Sequence, residues 1–208
     1  MATLFKRLGA GNDITASSTV TAYTVPTSYK TIVKSFIITN SSASSVIISV
    51  VMASIGILSN YVMKPNDTIL VPVMDQLMVA RDSITVTTST ANAISYYISG
   101  IETLVADPEY ADVLRLGGGA IPVTSGIIVT TSSKDRLIKG IILCNTAAAE
   151  RKVSMWIYGW SILQPFTIKA NDTILIPTSD ILIPAGEYVS ASASATGVNY
   201  YITGKELG

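Results

Sequence analysis

From Ile14 onward, short apolar stretches alternate with breaks of Asn, Ser, Gly and Pro, and the apolar positions recur with a period of two. Over residues 30–39, Ile32, Lys34, Phe36 and Ile38 share one face and Val33, Ser35, Ile37 and Thr39 the other. Both faces carry apolar side chains, which predicts a strand in the middle of its sheet. The text is rich in Thr, Val, Ile, Tyr and Ser and poor in helix formers, as strands are. Strands are predicted near 15–25, 30–39, 46–53, 57–63, 68–73, 77–80, 83–88 and 93–101, and again near 122–131, 135–144, 152–158, 161–168, 173–177, 181–183, 188–193 and 199–204. A turn every 8 to 12 residues or so suggests a sandwich or barrel.

The pattern is written twice. Lys64-Pro65-Asn66-Asp67-Thr68-Ile69-Leu70 returns as Lys169-Ala170-Asn171-Asp172-Thr173-Ile174-Leu175, an offset of 105 residues that also carries Lys34 onto Lys139, Asn40 onto Asn145, Pro72 onto Pro177 and Leu77 onto Leu182. One deletion later, Tyr96, Ser99-Gly100 and Glu102 match Tyr200, Thr203-Gly204 and Glu206. Solenoid units run to about 50 residues, whereas about 50 is the floor for a domain; the repeat is therefore a duplicated domain. Each copy has its own lead-in, Arg7-Leu8-Gly9-Ala10-Gly11 and Arg115-Leu116-Gly117-Gly118-Gly119.

One helix is predicted. Asp107 suits an N-cap, Pro108 the first helical position, and Gly117 a stop. The expected fold is all-β: two tandem antiparallel β-sandwich (jelly-roll-like) domains joined by a short helical linker. The expected boundaries are an N-terminal arm at 1–12, domain one at 13–102, the linker at 103–116 and domain two at 117–208.

Composition narrows the chemistry. Apolar residues make up 49% of the 208 and charged residues 13%, against about 25% charged in an ordinary soluble domain. Part of such a surface is expected to meet other protein. Fourteen basic and fourteen acidic residues cancel, leaving no excess to neutralise phosphates, so no nucleic-acid partner is expected. There is no histidine and one cysteine, Cys144, which excludes an intrachain disulfide, Cys-His dyads, Ser-His-Asp triads and the usual zinc sites. The start lacks an apolar core of signal-peptide length, and synthesis in the cytoplasm is expected. Ser35–Met63 carries no charge, but residues 40–45 are polar or small, leaving less than the about 20 apolar residues a spanning helix needs. In the second copy Glu150, Arg151 and Lys152 stand where Ser45, Val46 and Ile47 stand in the first; no membrane partner is expected.

Asn66-Asp67-Thr68 and Asn171-Asp172-Thr173 offer carboxylates, but calcium takes about 6 to 8 oxygen ligands and no acidic cluster lies nearby. Turns leading into strands are predicted, with Asn and Asp bonding nearby amides. The glycine clusters lack the Lys-Ser/Thr ending of a phosphate loop and read as flexible linkers. Trp156, Tyr158 and Trp160 alternate on an apparent strand and would share one face, as in sugar-binding platforms and protein interfaces. The opposite face, Val153, Met155 and Ile157, is apolar in copy one too, at Ile48, Val50 and Met52, and is the predicted core. The aromatic face matches Val51, Ala53 and Ile55, so packing and a functional surface both stay open there. Tyr96-Tyr97 and Tyr200-Tyr201 are expected to fill the core. Leu4, Phe5 and Leu8, with Trp156, Tyr158 and Trp160, are the candidate interface residues; no catalytic, cofactor-binding or metal residue is assigned, and no cofactor is expected.

The copies resemble the small β-sandwich virion proteins of tailed bacteriophages. In copy one the matching residues are Tyr23-Thr24-Val25-Pro26, Val33-Lys34-Ser35-Phe36-Ile37-Ile38-Thr39-Asn40, Asn66-Asp67-Thr68-Ile69 and Ser99-Gly100-Ile101-Glu102. In copy two they are Ile138-Lys139-Gly140-Ile141-Ile142-Leu143-Cys144-Asn145, Asn171-Asp172-Thr173-Ile174 and Thr203-Gly204-Lys205-Glu206. Phe5-Lys6-Arg7-Leu8-Gly9 is similar to the opening of these proteins. Copy two lacks the Tyr-Thr-Val-Pro phrase, having Ile128-Val129-Thr130-Thr131 there. The resemblance implies a non-enzymatic virion structural protein, first a capsid decoration (cement) protein contacting the major capsid protein or other virion proteins, as a homo-oligomer with a trimer the first choice. A tail, neck or fibre component is the alternative. A carbohydrate-binding module using the three aromatics is the rival from another class. Carboxylate-pair hydrolysis needs no histidine, but no two acids stand out for it.

Overall fold

Two pairs of strands are joined by tight turns and the other ladders link strands far apart in sequence; among the described residues every pairing is antiparallel. The computed structural model describes residues 4–12, 14–73, 75–110 and 112–208. It divides into two compact units, Met1–Ala111 and Asp112–Gly208. Unit 1 holds β1 (Leu4–Gly11), β2 (Thr19–Thr24), β3 (Tyr29–Asn40), β4 (Val46–Met52), β5 (Ile55–Met63), β6 (Thr68–Leu70), β7 (Gln76–Met78), β8 (Ser83–Thr88) and β9 (Ile94–Leu104). Unit 2 holds β10 (Val113–Ala120), β11 (Gly126–Val129), β12 (Arg136–Asn145), β13 (Arg151–Ile157), β14 (Trp160–Ile168), β15 (Thr173–Ile183), β16 (Val189–Ala193) and β17 (Val198–Glu206).

The sheets of unit 1 run β1-β9-β3-β6, with β7 also on β3, and β2-β8-β4-β5. Those of unit 2 run β10-β17-β12-β15 and β11-β16-β13-β14. In unit 2 one core is drawn from both sheets: Ile141 and Leu143 of β12 and Tyr200 and Ile202 of β17 cluster with Val153, Met155 and Ile157 of β13 and Val189 and Ala191 of β16. The predicted core face of β13 is thus where the core lies, and its counterpart in β4, Ile48, Val50 and Met52, is fully buried as well.

The expected fold class is corrected. Among the described residues there is no α-helix, and the linker shrinks to a 3-10 turn at Pro108–Tyr110. Asp107 does cap it: its carboxylate accepts from the Thr103 hydroxyl at 2.6 Å and the Glu109 amide at 3.1 Å, which holds it below the usual carboxylate range. The helical signals are local and short, and an isolated helix of fewer than about 12 residues is marginal, whereas Val113–Ala120 gains a ladder with β17. The expected arm is likewise a strand from Leu4 on, laddered to β9; its residues 1–3, and Asp13 at the expected start of domain one, lie outside the described residues. Two tandem sandwiches with a helical connector therefore give way to an all-β chain of four antiparallel sheets, with arm and linker inside two of them. The glycine clusters, read as flexible linkers, sit in those same strands.

Glycine is needed where strands carry a bulge. The register of β1 on β9 shifts at Leu8 and that of β10 on β17 at Leu116, the same place in the repeat. Each bulged leucine lies over a glycine of the neighbouring strand, Gly100 or Gly204, where a Cβ would collide with the carbonyl oxygen of Ile32 or Leu137. A second bulge, at Lys34 in β3 and Lys139 in β12, breaks the even alternation predicted for 30–39, so Thr31, Ile32 and Val33 are all buried. The bulged lysines pair with Asp75 and Asp180.

The repeated Lys-x-Asn-Asp-Thr phrase is a turn held from outside itself. Asn40, at the end of β3 and fully buried, donates from Nδ2 to the carbonyls of Ser44 and Lys64, both at 2.8 Å, and accepts from the Ser42 amide at 3.0 Å. Asn145 repeats this with Ala149 and Lys169 at 2.8 Å and the Ala147 amide at 3.0 Å. Asn66 and Asn171 take left-handed backbone, φ 56° and 54°, which Asn tolerates better than most residues, and the carboxylates of Asp67 and Asp172 accept from the amides of Thr68 and Thr173 at 2.9 Å. Replacing either clamp with alanine leaves part-buried carbonyls without their donor, and a buried group left unpaired costs roughly 1–3 kcal/mol. Asn40→Ala and Asn145→Ala are each expected to lower unfolding free energy by about 2–4 kcal/mol, read by urea denaturation, whereas Asn66→Ala is expected to cost less than half as much.

Candidate interaction surface

The three aromatics do not share a face. β13 ends at Ile157, and Tyr158 and Gly159 have φ 46° and 91°, the pair of left-handed residues that a two-residue hairpin turn requires. Ala53 and Ser54, at φ 50° and 65°, make the same turn in unit 1. Trp160 is the first residue of β14 and pairs with Ile157, while Trp156 pairs with Ser161 on one side and Ser190 on the other. The turn thus places Trp160 on the face of Ile157 and Trp156 on the opposite one. Trp156 is half-buried; Tyr158 is exposed at the tip, its ring edge-on to Tyr188 with centroids 5.6 Å apart; Trp160 is 78% exposed. The signal for the turn was Gly159, which a continuous strand would not favour.

In β1, Leu4 pairs with Glu102 and Phe5 with Ile101. Phe5 is 72% exposed, and Leu8 is half-buried over Gly100. Lys6 forms an ion pair with Glu102, whose side chain is only 9% exposed. The Tyr23 hydroxyl donates to the other oxygen of Glu102 at 2.6 Å and lies 2.7 Å from the Thr31 hydroxyl. Burial, and then the hydrogen bond to Glu102, push the Tyr23 phenol far above its ordinary range. The cluster joins β2, of one sheet, to β1, β3 and β9 of the other. In unit 2 the matching acid, Glu206, pairs with Lys134 at 3.1 Å, and Arg136, at the place of Thr31, donates to the Thr130 carbonyl at 2.6 Å. Burial lowers the Arg136 pKa, against the pull of Glu206.

A surface that sequence reasoning missed crosses the outward face of the β1-β9-β3-β6 sheet. Ala10 pairs with Tyr97, Tyr97 with Ile37, and Ile37 with Leu70, so the four form one row over all four strands. Ala10 is exposed, Tyr97 is 47%, Ile37 38% and Leu70 64% exposed. The rows beside it are polar: hydroxyls at Ser95, Thr39 and Thr68 on one side, and Arg7, Ser99 and Ser35 on the other. Tyr96 and Tyr200 do point into the core, but Tyr97 does not fill it.

No protein family matches the chain, and no curated protein matches it in sequence. Among solved structures it is similar to the major capsid protein P2 from bacteriophage PM2, at 11% identity over 100% of this chain and 98% of that one, TM-score 0.38. It is also similar to the STIV major capsid protein, at 11% identity over 99% and 97%, TM-score 0.30. HutD from Pseudomonas fluorescens SBW25 follows, at 10% identity over 94% and 77%, TM-score 0.26.

Among the described residues no three His, Cys, Asp or Glu side chains stand together as a metal site, and no helix is long and apolar enough to cross a membrane. Burial raises the Cys144 thiol pKa, away from the thiolate form that reacts. An open cleft lined by Ser17, Ser49, Asn60, Thr87 and Ser89 spends its hydroxyls locally: Ser49 accepts from the Asn60 amide at 3.0 Å and Ser89 from the Ile47 amide at 2.9 Å.

Trp160→Ala is expected to change stability by no more than about 0.5 kcal/mol, against about 2–5 kcal/mol for Met155→Ala in the core, both by urea denaturation. Tyr23, Tyr96 and Tyr200 all have phenol pKa values raised by burial. The folded chain then holds protons that the unfolded chain releases above its tyrosine pKa of about 10, and stability present below that pH is lost as pH rises past it. Tyr23→Phe is expected to flatten that alkaline decline, measured as melting temperature between about pH 8 and 11.

Proposed function

We propose that this chain is a non-enzymatic structural protein of a virus particle that works through protein–protein contacts, in the first place a decoration (cement) protein of a tailed-bacteriophage head. The observation that carries this reading is the uncharged row Ala10–Tyr97–Ile37–Leu70, exposed across a whole sheet. Interface centres are poor in charge and rich in aromatic and apolar side chains with polar rims, and this row has a hydroxyl rim on one side and Arg7, Ser99 and Ser35 on the other. The phrases that resemble phage virion proteins support the placement in a virion. They make the major capsid protein or another virion protein the natural partner. Two matching units per chain let a closed trimer present six similar units, a fit to three-fold or quasi-six-fold positions on a shell, and closed symmetry is the common outcome for homo-oligomers. A tail, neck or fibre position is the alternative, and the symmetry of the attachment point separates it from the head.

One observation favours a second reading. Trp160 and Tyr158 stand exposed around one hairpin, with Tyr188 against Tyr158, and aromatic faces of this kind bind sugars in carbohydrate-binding modules. Polysaccharide retention by the purified chain that falls at least ten-fold with Trp160→Ala would favour it.

Purified particles from cells carrying this gene are expected to contain the chain by mass spectrometry. Images of particles with and without it are expected to differ by density on the outside of the head. Absence from the particles overturns the virion reading; density confined to the tail overturns the cement role alone.

A further inference from the structure

The strands β1 and β10 carry one phrase written twice, and each fits its place by the side chains it lacks. Arg7-Leu8-Gly9-Ala10-Gly11 and Arg115-Leu116-Gly117-Gly118-Gly119 lie on β9 and β17 in the same register, Gly11 against Tyr96 and Gly119 against Tyr200. A Cβ on Gly9 would collide with the carbonyl oxygen of Ala22, and one on Gly117 with that of Ile128. A Cβ on Gly11 would come within 2.8 Å of the Tyr96 hydroxyl. Leu8 in turn fills the space over Gly100, its Cδ1 2.9 Å from where a Cβ would stand there. The slot along β9 thus selects a leucine followed by glycines one and three residues on, and Lys6 adds the ion pair with Glu102.

The slot is exacting, but the strand in it is lightly held. None of residues 5–11 is buried: Phe5, Lys6, Arg7 and Ala10 are exposed, and Leu8, Gly9 and Gly11 half-buried. The twin strand is covered further, with residues 113–117 all half-buried and the Arg115 guanidinium over the Tyr201 ring. Among the described residues the core of unit 1 starts after β1, at Ile14, which is 1% exposed and whose carbonyl accepts from the Asn92 amide at 2.9 Å. Losing β1 therefore leaves that core whole, and segments with few buried contacts open at low cost. The empty slot is the costly state. It leaves β9 an open sheet edge and takes the lysine from Glu102, whose side chain is 9% exposed. A strand from another copy makes the same contacts as the chain's own, and exchange of identical elements is a low-cost route to assembly. We propose that the slot along β9 is a strand-binding site that accepts β1 of a second copy of this chain. The occupant follows from what the structure seats there: the slot is shaped to Lys6, Leu8, Gly9 and Gly11, and a second copy brings those residues in that order. The exchange gives self-association a physical contact and goes beyond the virion reading, since it rests on the fit of strand to slot and not on a place in a particle.

The test mixes two full-length variants, Arg7→Cys and Ser99→Cys, one of them isotope-labelled, at high concentration in a glutathione redox buffer. Positions 7 and 99 face each other across the ladder, and the native Cys144 is buried. A disulfide between the two chains, read by mass spectrometry, is expected to exceed by about ten-fold the one that Arg7→Cys forms with Val62→Cys, the gain of docking over chance encounter; Val62 is exposed on the other sheet. Adding Lys6→Glu or Gly9→Val to the Arg7→Cys chain is expected to lower the cross-link by about ten-fold, the scale of one lost anchor. Melting temperatures confirm that these chains fold. A cross-link no stronger than that with Val62→Cys, or one that the folded Lys6→Glu and Gly9→Val chains form undiminished, overturns the proposal. Either result leaves a virion role standing if the chain is found in particles, whereas absence from particles leaves strand exchange to stand or fall on these measurements.

Discussion

Each unit depends on one buried amide. Where β3 and β12 end, the chain leaves one sheet and crosses to the other, and the crossing loop exposes carbonyls that no ladder can satisfy. Asn40 and Asn145 satisfy them, reaching both the loop just ahead and the turn 24 residues on. A buried amide without its partners costs about as much as several surface contacts contribute, so this pairing holds the second sheet's first hairpin in place against the first sheet. The Lys-x-Asn-Asp-Thr phrase is preserved between copies for the same reason: its first carbonyl is the acceptor, its Asn bends the turn, and its Asp caps the returning strand.

Around that shared frame the copies solve one problem differently. The acid at the end of β9 or β17 lies where two sheets approach, and an unpaired carboxylate there would be costly. In unit 1 a lysine, a tyrosine and, through the tyrosine, a threonine surround Glu102. In unit 2 a lysine pairs with Glu206 and an arginine takes the threonine's place. Surface ion pairs of bulged lysines with Asp75 and Asp180 are retained, although exposed pairs contribute little. What they mark is the bulge, beside which β3 passes from β6 to β7 while β12 keeps the single partner β15 on that side.

Much of the chain could be read from its pattern: the period of two, the duplication at 105 residues, the core face of β13 and the turn chemistry of Asn and Asp are consequences of neighbours in sequence. The misreadings share a cause. Asp107-Pro108 carries the start of a helix and Gly117 its stop, yet the segment between them is worth more as a laddered edge strand, which only a partner some 90 residues away can make of it. Trp156, Tyr158 and Trp160 alternate in sequence, but two left-handed residues reverse the chain between them, and spacing alone cannot show a reversal.

The sequence by itself determined that this is a β chain made of one unit twice, neutral and without histidine, with turns at the Asn-Asp phrases. Only the tertiary structure decided which face of each strand is covered. Tyr96-Tyr97 and Tyr200-Tyr201 are the same two letters in the same setting, and Ile37 and Ile142 the same residue at the same register. One set is buried on both faces and the other on one. Local pattern sets where side chains point, because backbone geometry alternates whatever surrounds it. What covers them is set by chain distant in sequence, and that is information no window of residues contains.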